Sequence, residues 1–363
     1  MFKRPSFSVH IVQRGDIAPL AAWGYRLLAV LAALAAGGLF LASLGYNPFQ
    51  VYSTMLSGAL GTPGMQRETI KLAIPLALTS LGVLLAFKMR FWNIGAEGQI
   101  AAGAIAASYF AYFQSHLPSF VLLPLMALAA ITAGGLWGLV PAWFKTRFGT
   151  NETLFTLMLN YIVMHFITYL REGPWRDPSG GFAATPRFPK QARLPELPFP
   201  FVGNIHIGWI AVLALVVLMF IYLHYTKQGY EITVVGENER TARYAGMPVR
   251  KIVLRTMFLS AGICGLVGMM QVAGPDRQLT DAVAGGRGFT AISIVWLARL
   301  SPFGSLFVSF LFAVMQKGCS MMQTEFRIPA SMSDILQGIV LFCVLGAEFF
   351  LQYRVARQKE ALA

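Results

Sequence analysis

Charge is what this sequence has least of. Only 12% of its 363 residues are Asp, Glu, Lys or Arg, against about 25% in ordinary soluble domains. So sparse a charged surface excludes a dissolved globular chain. The 56% hydrophobic content and mean hydropathy of +0.59 place the chain in a bilayer. Acid is scarcer than base, 16 residues against 29, which leaves a formal charge of +13. In a soluble chain that surplus would suggest nucleic acid. In one this apolar, cations collect in cytoplasmic loops and face anionic headgroups, so the lipid bilayer is the partner and nucleic acid is not. The three cysteines, Cys264, Cys319 and Cys343, lie in apolar stretches with no metal-ligand spacing and read as buried structural thiols. The five histidines, His10, His116, His165, His206 and His224, are scattered, so neither a metal site nor a convergent catalytic set is expected. A G-x-x-x-x-G-K-[ST] phosphate loop is lacking too, and with it a nucleotide site of that kind.

What is there is a series of apolar runs, each of about 20 residues and long enough to cross a bilayer as a helix. They fall near 24–45, 70–87, 93–114, 119–144, 154–170, 208–225, 256–274, 289–300, 303–320 and 333–352. The expected fold is therefore all-α, a polytopic transmembrane helix bundle of about ten spans forming one domain over 1–363. The first run follows a basic leader with Lys3, Arg4 and Arg14, but it continues past any small-residue cleavage site and reads as an uncleaved span.

Orientation follows from lysine and arginine. With both termini cytoplasmic, 18 of the 29 cations lie inside, and five of the other 11 sit in the single loop 171–207, which the positive-inside rule weights least. That loop holds seven prolines and is expected to be an irregular extracytoplasmic excursion. On this model spans two to five and spans seven to ten have inverted topology. Each quartet also carries a matched irregularity: KMRFWNIG between spans two and three, and AGPDRQLTDAVAGGRGF between spans seven and eight. Span eight, at about 18 Å, is too short to cross alone. Broken segments at corresponding places point to a solute pathway near the midplane.

The first irregularity opens FWNIGAEGQIAAG, residues 91–103, where an apolar chain puts Asn93, Glu97 and Gln99 within seven positions. Read as a helix, Asn93 and Glu97 share a face, and Gly98, Ala101, Ala102 and Gly103 permit close helix approach. A carboxylate facing lipid costs roughly 3 kcal/mol, so Glu97 must face protein or water, and a pore-lining role is favoured. Gln99, turned about 200° from Glu97, is the weakest member of the set, with a bond to a neighbouring helix as its alternative. Asn160 and Gln271 are further intramembrane amides, for which helix-to-helix bonding and function stand level. Trp92 and Phe289, at the two breaks, offer aromatic faces for a planar solute.

The segment 226–255, TKQGYEITVVGENERTARYAGMPVRKIVLR, is charged, Ala-rich in its middle and ends its helical part at Gly246. Its VGENERTARYAGMPV resembles the G-x-N-x-x-A-A-x-Y-A-G coupling loop of importer-type ABC permeases related to the ribose and branched-chain amino acid systems. FWNIGAEGQ resembles the FNIGxEGQ of the nucleoside (basic membrane lipoprotein-linked) branch, as do TNETLFTLMLNYI, GFTAISIVWLARLSPFGSLF and ILQGIVL. Trp92 is inserted relative to that pattern, and Thr241 stands where the family has Ala.

The resemblance implies a permease subunit that is not itself an enzyme, holds no cofactor and translocates nucleosides or purine bases, with simple sugars as the alternative. ATP and Mg would sit on a separate cytoplasmic ATPase received by Glu237, Asn238, Arg240, Ala242, Tyr244, Ala245 and Gly246. A second homologous permease would complete a heterodimer in the bacterial inner membrane, and an extracytoplasmic binding protein would deliver solute. The rival class, an ion-coupled secondary transporter, needs several intramembrane titratable groups, and the candidates are only Glu97, Glu152 and Glu348.

Overall fold

The computed structural model describes residues 7–13, 19–178, 184–199, 202–329 and 331–359. The leader residues Lys3, Arg4 and Arg14 lie outside them. Among the described residues every expected span meets a helix. In order these are α1 (Pro19–Ser43), α3 (Pro63–Lys88), α4 (Ala96–Phe113), α5 (Ser119–Phe148), α6 (Glu152–Glu172), α7 (Gly208–Tyr225), α10 (Val249–Ala273), α11 (Arg287–Leu297), α12 (Pro302–Phe326) and α13 (Ser331–Gln352). Six of them, α3, α5, α6, α7, α10 and α12, are long and apolar enough to cross a membrane alone. A seventh span is counted if α1 and α2 (Pro48–Leu60), bent by 116° at their junction, make one. α4 falls short because its first turn carries Glu97 and Gln99, and α11 because it has only 11 residues.

The chain, which reads as one domain, divides into two compact units, Met1–Gly58 with Gly318–Ala363 and Ala59–Lys317. In the first unit α1 packs on α13. The bend into α2 has local causes that were present in the sequence: Gly45 takes φ +87°, Asn47 Oδ1 accepts from Phe49 N–H at 3.1 Å and Pro48 opens the helix. Two strands missed from the sequence, β1 (Phe7–Gln13) and β4 (Tyr353–Lys359), pair antiparallel.

In the second unit α10 is the hub, packed against α3, α4 and α5, while α4 also meets α5 and α6, and α11 lies on α3 and α4. Small residues allow this. A Cβ at Gly103 of α4 would overlap the Gly265 backbone of α10, so these two helices touch main chain to main chain. The segment 226–255 forms α8 (Lys227–Glu237) and α9 (Glu239–Tyr244) ahead of α10, and the loop 171–207 contains a hairpin, β2 (Glu196–Phe199) and β3 (Gly203–His206).

Candidate functional site

The break between α3 and α4 is built from hydrogen bonds close in sequence. Phe91 N–H reaches back to Ala86 O at 3.0 Å and Arg90 takes φ +55°, so the helix stops, and Asn93 N–H donates to Phe91 O at 2.9 Å in a tight turn at Trp92. Asn93 Oδ1 then accepts from Gly95 N–H and from Gln99 Nε2, both at 3.0 Å, while Asn93 Nδ2 donates to Gln99 Oε1 at 3.2 Å. The two amides close a ring that fastens the break to the first turn of α4. This corrects the helical reading: α4 begins at Ala96, so Asn93 precedes it and shares no helical face with Glu97. Its partner is Gln99, the member expected to matter least, which bonds its own segment and not a neighbouring helix.

Glu97 points elsewhere. Gly286 N–H donates to its Oε1 at 2.6 Å and Gly288 N–H to its Oε2 at 2.7 Å. The carboxylate therefore satisfies free donors at the start of α11, where such N–H groups have no intrahelical acceptor and favour negative charge. Gly288 is required by this contact, since a Cβ there would overlap the Glu97 backbone. Asn160 of α6 closes the opposite flank: Gly98 N–H donates to its Oδ1 at 2.8 Å and its Nδ2 donates to Ile94 O at 2.9 Å. Gln271 Nε2 donates to Asp276 Oδ1 at 2.8 Å in the α10–α11 connection. Asn93, Glu97, Gln99, Asn160 and Gln271 are all buried, none more than 6% exposed, and each is hydrogen-bonded within the protein.

The two aromatics at the breaks are placed differently. Trp92 is half-exposed and its ring lies 5.7 Å from that of Trp296 at 30°, with Phe87 against both. Phe289 is half-exposed but does not join this cluster, because it sits near the opposite end of α11. Trp296, inside the motif GFTAISIVWLARL, was missed. α11 is thus clipped at both ends by residues five apart in sequence, Trp92 and Glu97.

The coupling-type element forms as its local signals dictate. Asn238, at φ −155°, caps α9 by accepting from Arg240 N–H at 2.9 Å and Thr241 N–H at 3.2 Å. Gly246 ends the turn at φ +74°, in the left-handed region. Ala242 is fully buried, whereas Glu237, Asn238, Arg240, Ala245 and Gly246 are exposed and Tyr244 is 93% exposed. Beside α9 lies a polar cleft of about 540 Å³ lined by Trp92, Lys145, Asn151, Glu152, Arg243 and Arg250 among others. Lys145 ion-pairs Glu152 and lies over the Phe91 ring.

Loop 171–207 is less irregular than its prolines suggest. Phe188 N–H donates to Arg277 O at 2.7 Å and Leu194 N–H to Ala273 O at 2.9 Å. Thr185 Oγ1 donates to Leu279 O at 2.9 Å, and Arg171 ion-pairs Asp281 at 2.6 Å. The loop is therefore strapped to the connection that leads into α11. Residues 179–183 and 200–201 lie outside the described residues. In β3, burial pushes the His206 imidazole down to about 4, with Lys71 adding to the shift.

A bundle of apolar helices with a buried cluster of polar groups bonded internally at the start of α4, two matched helix breaks and an exposed, capped helix–turn defines a multi-pass membrane permease. The chain belongs to the family "Branched-chain amino acid transport system / permease component", which it matches over residues 67–345. It is 36% identical to the glucose ABC transporter permease protein TsgB13 of Haloferax volcanii, covering 92% of this chain and 90% of that one. It is 32% identical to the guanosine ABC transporter permease protein NupP of Bacillus subtilis, covering 88% and 92%. It is 27% identical to the nucleoside ABC transporter permease protein NupB of Lactococcus lactis, covering 92% and 93%. This is the permease subunit of an ABC importer, not an enzyme.

Proposed function

We propose that the chain carries nucleosides or purine bases inward through the bacterial inner membrane. It would work with a second homologous permease, an extracytoplasmic binding protein and a cytoplasmic ATPase that holds the ATP and Mg. Both termini are cytoplasmic in this reading, supported by the 18 of 29 cations that it places inside. The solute class is supported by the FWNIGAEGQ motif and by the relatives named for guanosine and nucleosides. A simple sugar is the second reading, favoured by the 36% identity to a permease named for glucose. Uptake of labelled guanosine and labelled glucose by the assembled transporter decides between them.

The observation that carries the coupling role is α9, a six-residue helix whose side chains other than Ala242 are exposed. Tyr244 buries almost nothing in this chain, so its truncation removes contacts only with a partner. The cleft next to α9 gives the ATPase a recess lined by charges of both signs. Switching between outward-open and inward-open states follows when ATP binding to the partner favours one of them. Tyr244→Ala is expected to leave membrane abundance unchanged and to lower both uptake and ATPase co-purification at least about tenfold, the loss of about 1.4 kcal/mol at an interface. Full uptake by this variant would remove α9 from the docking surface.

A further inference from the structure

Three spanning helices, α5, α6 and α7, are equally open, with 28% of the apolar stretch of each buried inside the protein, and of these α6 and α7 invite comparison. Their exposed faces differ in chemistry. On α7 the large exposed side chains between its first and last turns are Ile210, Leu213, Val217, Leu218 and Ile221, all aliphatic, as a lipid-facing surface should be, and its exposed His224 and Tyr225 stand only at the helix end. On α6 they include Tyr161 at 57% and Tyr169 at 62% exposure, with His165 exposed between them. These three are spaced i, i+4, i+8, so they form one stripe about 12 Å long on one side of the helix. Inside a helix running from Glu152 to Glu172, His165 lies about 20 Å from one end and about 10 Å from the other, at the level of the hydrocarbon core. None of the three side chains has a hydrogen-bond partner among the described residues; the Tyr169 side chain has only a ring contact with Phe166.

A groove of about 840 Å³ runs beside the stripe, between α4, α5 and α6, lined by Ile105, Leu136, Trp137, Ile162, His165 and Phe166 among others. Trp137 Nε1 is itself buried without a partner. Unpaired polar groups cost free energy in hydrocarbon, so intramembrane histidines face protein or water and not lipid. The motif at 91–99 does not supply a solute-facing surface in this state, because its polar atoms are bonded to one another and to α11.

We propose that the Tyr161–His165–Tyr169 face of α6, with the groove beside it, is the wall that the solute touches as it crosses. It fits an uncharged solute that offers both hydrogen-bonding groups and a planar ring. His165 bonds the polar edge, and the tyrosines supply ring faces and hydroxyls. This deepens the permease reading above and rests on it, and a path closed on its far side by the second permease follows from the openness of this face.

The test is cysteine labelling in the assembled transporter in membranes. Cys343 is replaced by Ser, the buried Cys264 and Cys319 are kept, and single cysteines are placed at 161, 165 and 169, with 213 and 217 on α7 as lipid-facing controls. A charged, membrane-impermeant methanethiosulfonate is expected to modify the α6 positions at least about tenfold faster than the α7 positions, and guanosine is expected to slow it severalfold. His165→Phe, which preserves size and apolar contacts, should keep normal abundance and lose most uptake, with His165→Gln recovering part of it. Labelling at α6 as slow as at α7 means lipid covers this face. Reactivity absent while cross-links to the second permease form across it means that permease covers it. Either overturns the proposal. If the stripe labels rapidly but neither guanosine nor glucose is taken up or protects, the wall stands and the solute reading fails.

Discussion

Asn160 and Tyr161 are neighbours on α6, and they belong to two different kinds of membrane polarity. Asn160 looks inward and fixes α4 through Gly98 N–H and Ile94 O. Tyr161 looks outward with nothing to bond. The same contrast separates the start of α4, where Asn93, Glu97 and Gln99 are buried and satisfied, from the α6 stripe, where Tyr161, His165 and Tyr169 are exposed and free. A polar residue in a membrane span is therefore not in itself a sign of transport. What decides is whether the protein has already used its hydrogen-bonding capacity.

Four substitutions sharpen or break that contrast. The largest effect is expected from Gly103→Val, since any Cβ there overlaps the Gly265 backbone; α4 and α10 must part, and folded protein should vanish from the membrane. Normal abundance by quantitative immunoblot would refute the main-chain contact as a requirement of the fold.

Glu97→Ala comes next. It takes a charged acceptor from two backbone N–H groups, and hydrogen bonds to charged groups are worth roughly 1.5–3 kcal/mol each. A neutral interhelical bond in a membrane protein averages about 0.6 kcal/mol. The carboxylate thus dominates its surroundings, and the variant should show the lower melting temperature and abundance while uptake per surviving molecule stays within about twofold of wild type. A full-strength melting transition combined with lost uptake would return Glu97 to the pathway, where the sequence reading put it.

The smallest effect is expected from the adjacent pair. Asn160→Ala should cost about 1 kcal/mol of stability, the sum of two neutral bonds of that average size, and Tyr161→Ala almost none. The contrast fails if thermal denaturation in detergent ranks them the other way.

Much of the fold was legible because it depends on local signals. Apolar runs located the helices, and the Gly246 turn was read directly from VGENERTARYAG. The bend at Tyr46–Asn47–Pro48 was written in the same code, yet the apolar pattern alone passed over α2. The site was harder. Whether FWNIG continues a helix depends on Asn93 finding Gln99, and whether Glu97 lines a pore depends on α11, nearly two hundred residues away. His165 looked like one of five scattered histidines because sequence shows that a residue is polar and not which way it faces. The β1–β4 pair joins the two ends of the chain, a distance over which no local pattern speaks.

The strapping of loop 171–207 has a mechanical result. The loop is bonded to Ala273 and Arg277 through its backbone and to Leu279 through the Thr185 hydroxyl, the connection leads into Gly286 and Gly288 on the Glu97 carboxylate, and α11 ends with Trp296 against Trp92. Both ends of this line are held, one by hydrogen bonds and the other by a ring contact. A push on the loop must either travel as a rigid displacement to the tryptophan pair or rupture bonds on the way, so the chain is geared like a push-rod and not hung like a curtain.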